Sequence, residues 1–339
     1  MTLQKKPEIF THIKKKLSFG TYAVKWIPFS AKFVVLGQHP KGTGLFQVYE
    51  LNEQELILIK ERETGGALKC GTFGASSLNA RHLATGDFDG RLAIWDLEHN
   101  EAPVFSIKAH SSIINDIDGC GGSITSSHGP PELATASRDG TVKIWDIRQK
   151  NKPVIKIDSM EETKGSRDPW CVAFGNAWNN EERVLAVGYD SGEIKLFDLK
   201  AMTTLSELTI SSGVVSLEFD RQYTKLKRLT VGSLKTLEVF EIDDNNKLNS
   251  LAMEKQDDTT IWCVRHVPQA PNLFMTSTSS GAINLYQIKN KSLKLLTSAN
   301  VTEQPVASVD WHINKSGLTV FTSFDGTIGM NIITNTVIE

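Results

Sequence analysis

Apolar positions along the chain recur as pairs of short strands joined by tight turns. The clearest copies are LATGDFDGRLAIWDL at 83–97 and LATASRDGTVKIWDI at 133–147. In each copy a strand leads to an Asp-Gly pair, and a second strand of alternating apolar residues ends in Trp-Asp. An Asp-Gly pair between such runs favours a hairpin turn, because the turn needs positive φ and Gly adopts it readily. The two segments therefore predict antiparallel hairpins, and their likeness predicts an internal repeat.

Five weaker copies bring the number of repeats to seven. They occupy 42–51, 185–199, 229–242, 274–288 and 320–333. When the turn position is aligned, the copies fall at residues 44, 90, 140, 192, 235, 281 and 326, so neighbours are 43 to 52 residues apart. An aromatic residue follows five positions later in six copies: Tyr49, Trp95, Trp145, Phe197, Phe240 and Tyr286, with Asn331 in the seventh. This spacing is close to that of propeller blades that carry a Trp-Asp signature.

Each copy also has a short apolar strand before it, and most are followed by an outer strand. The preceding strands lie at 22–26, 68–73, 114–118, 170–174, 215–219, 262–266 and 307–311. Outer strands are expected at 55–60, 103–108, 153–157 and 293–296, among others. Seven four-stranded units predict an all-β, seven-bladed β-propeller of the WD40 type. We expect one domain over 1–339, with blades near 18–60, 66–108, 110–157, 168–208, 213–252, 260–297 and 304–339.

The seventh copy has no outer strand of its own, because the chain ends at Glu339. The apolar segment PEIFTHI at 7–13 comes before the first inner strand and has no other place in the repeat. An apolar segment near a terminus is usually tied down by pairing with the rest of the domain. We therefore expect residues 7–13 to form the outer strand of the last blade and to close the ring.

Composition excludes several classes of protein. The chain is 40% hydrophobic and 22% charged with a formal net charge of −2, so nucleic-acid binding is not expected. No run reaches the roughly 18 apolar residues that a membrane helix requires. The leading segment MTLQKKPEIF lacks the apolar core of a secretory signal, which predicts a cytosolic or nuclear location; of the two we expect the cytoplasm.

The four cysteines lie far apart and show no C-x-x-C spacing, so neither a zinc site nor another metal or cofactor site is expected. Cys70, Cys171 and Cys263 each occupy the second position of an inner strand, where a small apolar side chain packs well. Cys120 belongs to the Gly- and Ser-rich segment 118–131, which reads as an insertion between two strands of the third blade.

His110, Thr135, Asp139 and Trp145 occupy the positions of a hydrogen-bonded tetrad found in many WD40 blades. Such a tetrad links a loop, a turn and a strand through polar groups that are screened from water. A partial copy recurs in the second blade, so repetition favours a structural role over a catalytic triad. We expect no catalytic residues and no enzymatic activity.

Two sets of positions should lie around one mouth of the channel: the start of each inner strand and the residue before each turn Asp. Polar residues would be the ordinary expectation there, whereas the chain has residues typical of protein–protein hot spots. The candidate partner-binding residues are Tyr22, Lys69, Phe88, Arg138, Trp170, Tyr189, Trp262 and Phe324. The alternative is that some of these rings only fill the channel.

Four segments resemble one particular WD repeat family. These are 69–78, 136–154, 172–202 and 216–221. They are similar to the Monad-type WD repeat proteins, which are dynein axonemal assembly factors. The resemblance implies a co-chaperone adaptor for cytoplasmic preassembly of axonemal dynein, with a further link to apoptosis. It also implies the partners: a RuvB-like ATPase and prefoldin-like co-chaperone complex, a tetratricopeptide adaptor and axonemal dynein heavy chains, with the chain present as a monomer within larger complexes.

A competing interpretation is a substrate receptor of a cullin-type ubiquitin ligase. Trp145, Asp146, Ile147 and Arg148 fit the WD-x-Arg box that such receptors use. The box is only moderately specific, because many unrelated WD40 repeats match it.

Overall fold

Seven antiparallel four-stranded sheets make up the described part of the chain. The computed structural model describes residues 6–77, 79–99, 102–122, 131–149, 152–158, 167–175, 182–220, 225, 227–256 and 258–336. These residues form 28 strands and no helix. The structure confirms the predicted all-β, seven-bladed propeller. Most of the predicted insertion at 118–131 lies outside the described residues.

Each blade follows the order of its strands along the chain. Blades one to four consist of β2 (Gly20–Trp26), β3 (Lys32–Gln38), β4 (Gly44–Asn52) and β5 (Glu55–Thr64); β6 (Leu68–Thr72), β7 (Leu83–Asp87), β8 (Arg91–Trp95) and β9 (Phe105–Lys108); β10 (Ile114–Cys120), β11 (Glu132–Ser137), β12 (Thr141–Asp146) and β13 (Ile155–Asp158); and β14 (Pro169–Gly175), β15 (Val184–Tyr189), β16 (Glu193–Asp198) and β17 (Thr203–Thr209). Blades five to seven consist of β18 (Val214–Phe219), β19 (Arg228–Ser233), β20 (Thr236–Ile242) and β21 (Leu248–Lys255); β22 (Ile261–Val267), β23 (Ala270–Thr278), β24 (Ala282–Lys289) and β25 (Ser292–Asn300); and β26 (Val306–Trp311), β27 (Leu318–Ser323) and β28 (Thr327–Thr334), to which β1 (Glu8–Lys16) is added.

The first strand closes the ring. β1 pairs antiparallel with β28, from Glu8 opposite Thr334 to Lys16 opposite Thr327, with a bulge near its middle. Ile9 packs against the core between blades six and seven, and Ile13 packs against the core between blades seven and one. The predicted closing strand at 7–13 is therefore confirmed, and the observed strand extends three residues further.

The turns between the second and third strands show why glycine recurs there. Gly90 and Gly140 have φ of 78° and 81°, and the corresponding glycines of blades four, six and seven are also at positive φ. Blade one differs from the sequence alignment. There the positive φ belongs to Gly42, at 90°, while Gly44 begins β4 and pairs with Gln38. The hairpin of blade one is longer than the others, although the strand register deduced from Tyr49 is correct.

Apolar side chains of neighbouring blades meet between the sheets. Seven clusters of buried residues occupy these spaces, and the Phe46 and Trp95 rings, 5.5 Å apart, lie between blades one and two. Cys70, Cys171 and Cys263 are buried in such clusters. Both faces of every sheet are covered in this way. The hydrophobic core is therefore complete without the polar and aromatic residues at the ends of the channel, and these residues can contact other molecules.

Candidate protein-binding site

The first channel-facing residues of the seven inner strands line one cavity. They are Tyr22, Lys69, Asn115, Trp170, Val215, Trp262 and Ala307. The cavity has a volume of about 570 Å³ and runs into the central channel. The lining does not follow the sevenfold symmetry of the ring, because most of the aromatic residues lie in one part of the mouth and most of the polar residues in another.

Four aromatic rings form a continuous row across blades two, one, seven and six. The Tyr22 ring lies 5.2 Å from Phe88 and 6.0 Å from Phe324, and Phe324 meets Trp262 edge to face at 5.0 Å. We call Phe88, Tyr22, Phe324 and Trp262 the aromatic arc. Edge-to-face and tilted contacts at these distances are favourable for aromatic pairs, so the arc is a preformed surface.

A lysine ammonium lies over the arc. The Nζ of Lys69 is 5.4 Å from the centre of the Tyr22 ring, which is within the range of a cation–π interaction. Burial lowers the pKa of Lys69 and raises the pKa of Tyr22. The Tyr22 hydroxyl donates a hydrogen bond to the Gln38 side chain at 3.2 Å. These contacts hold the centre of the arc in place while its ends stay open to solvent.

The arc extends into blade five through a residue that sequence reasoning missed. Phe88 is 36% exposed, and Leu234 of blade five is 37% exposed and lines the same cavity. The backbone N–H groups of Phe88, Leu234 and Phe324 each donate to a carbonyl just before the inner strand of their own blade, at 2.9, 3.1 and 3.2 Å. Leu234 thus occupies the same turn position as the two phenylalanines. The turn in blade five has neither Asp nor Gly to mark it.

The prediction that Tyr189 points to solvent is wrong. Tyr189 is only 1% exposed and packs in the core between blades three and four. It pairs with Pro169 at the end of β15, whereas the residue at the position of Phe88 is Asp190, whose N–H donates to the Asp168 carbonyl. Since successive residues of a strand point to opposite faces, an error of one residue moved the side chain from surface to core.

The opposite side of the mouth carries most of its polar side chains, together with the Trp170 ring. The Arg138 side chain is 70% exposed and its Nε lies 3.5 Å from Asp168. The Trp170 ring lies close to Gly213, where an added Cβ would come within 3.0 Å of it. Asn115 donates to the Pro169 carbonyl at 3.0 Å. The mouth is therefore mainly apolar from blade five through blades six, seven and one to blade two, where Lys69 lies over Tyr22. At blades three and four it combines the polar side chains of Arg138, Asp168 and Asn115 with the Trp170 ring.

Ionisable residues line the channel below the mouth. Glu218 lies 3.9 Å from Arg265, and burial raises the pKa of Glu218 to about 7. Burial also raises the pKa of Asp116 to about 6. Among the described residues no group of three or more His, Cys, Asp or Glu side chains is arranged to hold a metal ion.

The four tetrad residues are hydrogen-bonded in series. His110 Nδ1 lies 3.0 Å from Asp139, and Nε2 lies 2.8 Å from the Thr135 hydroxyl, which accepts the Trp145 indole N–H at 2.9 Å. Burial lowers the pKa of His110 to about 4. Burial opposes ionisation of Asp139, but hydrogen bonds from Thr141, Ser111 and His110 lower its pKa to about 2. This arrangement ties a loop to a turn and leaves His110 enclosed.

Arg148, the last residue of the WD-x-Arg box, is bound within its own turn. Its Nε and Nη2 atoms donate hydrogen bonds to the Asp146 carboxylate at 2.9 and 2.7 Å. The guanidinium is nevertheless exposed. The box therefore has a local structural role as well as an accessible charge.

Comparison with known proteins covers the repeat and the whole chain. Residues 101–146 match the family model described as WD domain, G-beta repeat, and residues 133–222 match the anaphase-promoting complex subunit 4 WD40 domain. Dynein axonemal assembly factor 10 of Bos taurus is 44% identical over 356 aligned residues, covering 98% of this chain and 99% of that protein. The Danio rerio protein of that name is 45% identical, covering 98% of each chain, and that of Chlamydomonas reinhardtii is 41% identical, covering 98% and 99%.

Within the described ranges no helix has the length and apolar character that a membrane span needs. The similarity to the relatives extends over almost the full length of both chains, and the seven-bladed architecture agrees with the WD40 models. The chain therefore belongs to the dynein axonemal assembly factor 10 family of WD40 repeat proteins.

Proposed function

We propose that this protein is a non-enzymatic scaffold for the assembly of axonemal dynein, and that it binds its partners at the aromatic arc. The relatives are named for this assembly role. The observation that carries the proposal is the unbroken contact of four rings at one mouth of the channel. Large aromatic side chains are among the residues that most often dominate protein–protein binding, and all four rings are partly exposed.

The energetics of the arc support docking over simple packing. Covering an aromatic or Leu side chain that is about one-third exposed is worth about 0.5–1 kcal/mol. Phe88 and Leu234 stand at the two ends of the apolar side and remain open to solvent. The neighbouring Arg138 offers an exposed charge that can fix the orientation of a partner. Association through this face therefore combines an apolar contact with a polar edge.

The partners and the location are part of the same proposal. They are the RuvB-like ATPase and prefoldin-like co-chaperone complex, a tetratricopeptide adaptor and axonemal dynein heavy chains, encountered in the cytoplasm. The resemblance of the chain to Monad-type proteins supports them. The link to apoptosis stays a prediction.

Affinity capture from ciliated cells tests the proposal. We expect the unsubstituted protein to retain dynein heavy chains and the RuvB-like ATPases, and Trp262→Ala and Arg138→Glu to lose them at least in part. Met253→Ala is the matched control, because Met253 is an exposed apolar residue on the outer strand β21. Circular dichroism establishes that each variant is folded. Undiminished capture by folded Trp262→Ala would contradict binding at the arc, and undiminished capture by folded Arg138→Glu would exclude Arg138 from the docking surface.

The same experiment separates the alternative function. A substrate receptor of a cullin-type ligase would retain the ligase's propeller-containing linker protein and lose it in Arg148→Ala. The exposed guanidinium of Arg148 is the observation that keeps this alternative open. Capture of dynein heavy chains without that linker protein would reject it.

A further inference from the structure

The inner strand of each blade is a sheet edge, so half of its backbone N–H groups have no neighbouring strand to bind. In blade four, side chains of the preceding blade accept these groups. The Asp116 carboxylate accepts the Val172 N–H at 3.1 Å, and the Asp118 carboxylate accepts the Phe174 N–H at 2.8 Å. We call such a bond, from a channel-side residue of one blade to the next inner strand, a clasp.

Clasps occur at equivalent positions of two other junctions. Ser216 of blade five accepts the Val264 N–H at 3.1 Å, and Glu218 accepts the N–H of His266. A further clasp joins blade seven to blade one, where the Asp310 carboxylate accepts the Trp26 N–H at 2.8 Å. Bonds to a charged acceptor are stronger than neutral ones. Blades three and four, five and six, and seven and one are therefore joined in pairs.

At the clasp positions the intervening junctions have a weaker bond. At the position that Asp116 and Ser216 occupy, blades two, four and six have cysteines. Their thiols approach carbonyl oxygens of the next inner strand: Cys70 to Ile114 at 3.7 Å, Cys171 to Val214 at 3.5 Å and Cys263 to Val309 at 3.8 Å. A thiol is a weak donor. Junctions with and without clasps consequently alternate from blade two onward, and the junction of blades six and seven has in addition a hydrogen bond from the Trp311 indole N–H to the Arg265 carbonyl at 3.1 Å.

Blade one breaks this alternation. Its residues at the two clasp positions are Ala23 and Lys25. Alanine has no polar side-chain atom, and a lysine ammonium can donate but not accept. Neither residue can accept the N–H groups of β6, so within the described residues blade two has no clasp to blade one. To blade three it has the thiol contact of Cys70 and a backbone hydrogen bond from the Gly122 N–H to the Gly74 carbonyl at 3.0 Å.

Blade two also has short strands. Its inner, second and third strands have five residues each and its outer strand has four. The inner, second and third strands of every other blade have six to nine residues within the described part of the chain. Shorter strands share fewer ladder hydrogen bonds, which lowers the free energy needed for local opening.

We propose that blade two opens locally and shifts against its neighbours more readily than the other blades of this ring, because no clasp joins it to blade one or to blade three. We call it the adaptable blade. Blade two carries Lys69 and Phe88, and both residues contact Tyr22 of blade one across the junction without a clasp. A partner that covers the arc then also fixes blade two against blade one. This last consequence rests on the proposed function, whereas the adaptability itself does not.

Amide hydrogen exchange on the isolated, full-length protein tests the proposal without any partner. The amides of Gly71 and Phe73 in and just after β6 correspond in position to Val264 and His266 of blade six. We expect exchange at Gly71 and Phe73 to be about tenfold faster, the factor that one intramolecular hydrogen bond commonly contributes. Equal protection at the two pairs would overturn the proposal. Because no partner is present, this outcome leaves the proposed docking function untouched.

A pair of variants tests the cause. Ala23→Ser with Lys25→Glu places at blade one the residues that form the clasps of blade five, and should slow exchange at Gly71 and Phe73. Glu218→Met removes an existing clasp and should speed exchange at His266 while leaving Gly71 unchanged. If the Glu218→Met protein exchanges His266 at the original rate, clasps do not control local opening and the proposal fails, whether or not the doubly substituted protein folds.

Discussion

Replacing Glu218 by Gln should change how the stability of the protein depends on pH. The carboxylate faces the channel beside Arg265 and accepts the N–H of His266. Glutamine has the same shape and keeps an oxygen that can accept this hydrogen bond. The substitution therefore removes the titration with little change in packing.

The sign follows from the raised pKa. Burial raises the pKa of Glu218 from 4.5 to about 7 in the folded protein. Between these values the folded chain holds a proton that the unfolded chain has released, so the free energy of unfolding falls as pH rises. The full shift corresponds to roughly 3 kcal/mol. The Glu218 side chain is 30% exposed to channel water, which reduces the expected effect to about 1–2 kcal/mol.

Urea unfolding at several pH values between 4 and 8 measures the effect. We expect Glu218→Gln to gain about 1–2 kcal/mol relative to the unsubstituted protein on going from pH 4.5 to pH 7.5. Glu303→Gln, at an exposed residue of the loop between blades six and seven, makes the same change of charge and serves as the control. A difference between Glu218→Gln and the unsubstituted protein that stays constant with pH would refute the reasoning.

Three further predictions concern closure, the tetrad and the arc. Deleting residues 1–16 should lower the melting temperature, because it removes β1 and uncovers the side chains that packed against Ile9 and Ile13. The expected loss in the free energy of unfolding is about 3 kcal/mol, and an unchanged thermal melt would reject this prediction. Thr135→Val should cost about 2–4 kcal/mol by unfolding titration, since it leaves His110 and Trp145 atoms unpaired. Thr319→Val is its control, because that buried hydroxyl has no hydrogen-bond partner among the described residues and its loss should be neutral or stabilising. Leu234→Ser should weaken partner capture without changing the melting temperature, and full capture would remove Leu234 from the docking surface.

The fold could be predicted because its signals are local and repeated. An Asp-Gly turn followed five residues later by an aromatic residue marks a hairpin, and seven copies fix the ring. The closing strand followed by elimination, since 7–13 had no other partner. Where the turn chemistry changes, the prediction fails by one residue. The Tyr-Asp-Ser-Gly turn shifted Tyr189 to the wrong face, and the Ser-Leu-Lys-Thr turn concealed Leu234.

Contacts between blades were beyond reach of the sequence. Which rings of the arc touch depends on the rotation between adjacent blades, and no pattern within one repeat encodes it. The clasps were hidden for the same reason, because Asp116 and Val172 are far apart in sequence and each resembles an ordinary strand residue. Cys171 was correctly placed in the core, but its contact with the next blade required the register of both inner strands.

The most direct test of the account is a protection map of the protein bound to the partner that it captures from ciliated cells. Amide exchange or carbene labelling should show protection of the segments that contain Tyr22, Trp262 and Phe324. The opposite end of the propeller, with the exposed Phe29 and Ile313, should be unchanged. Protection confined to that opposite end or to the outer strands, with the aromatic arc still fully labelled, would contradict docking at the mouth of the channel.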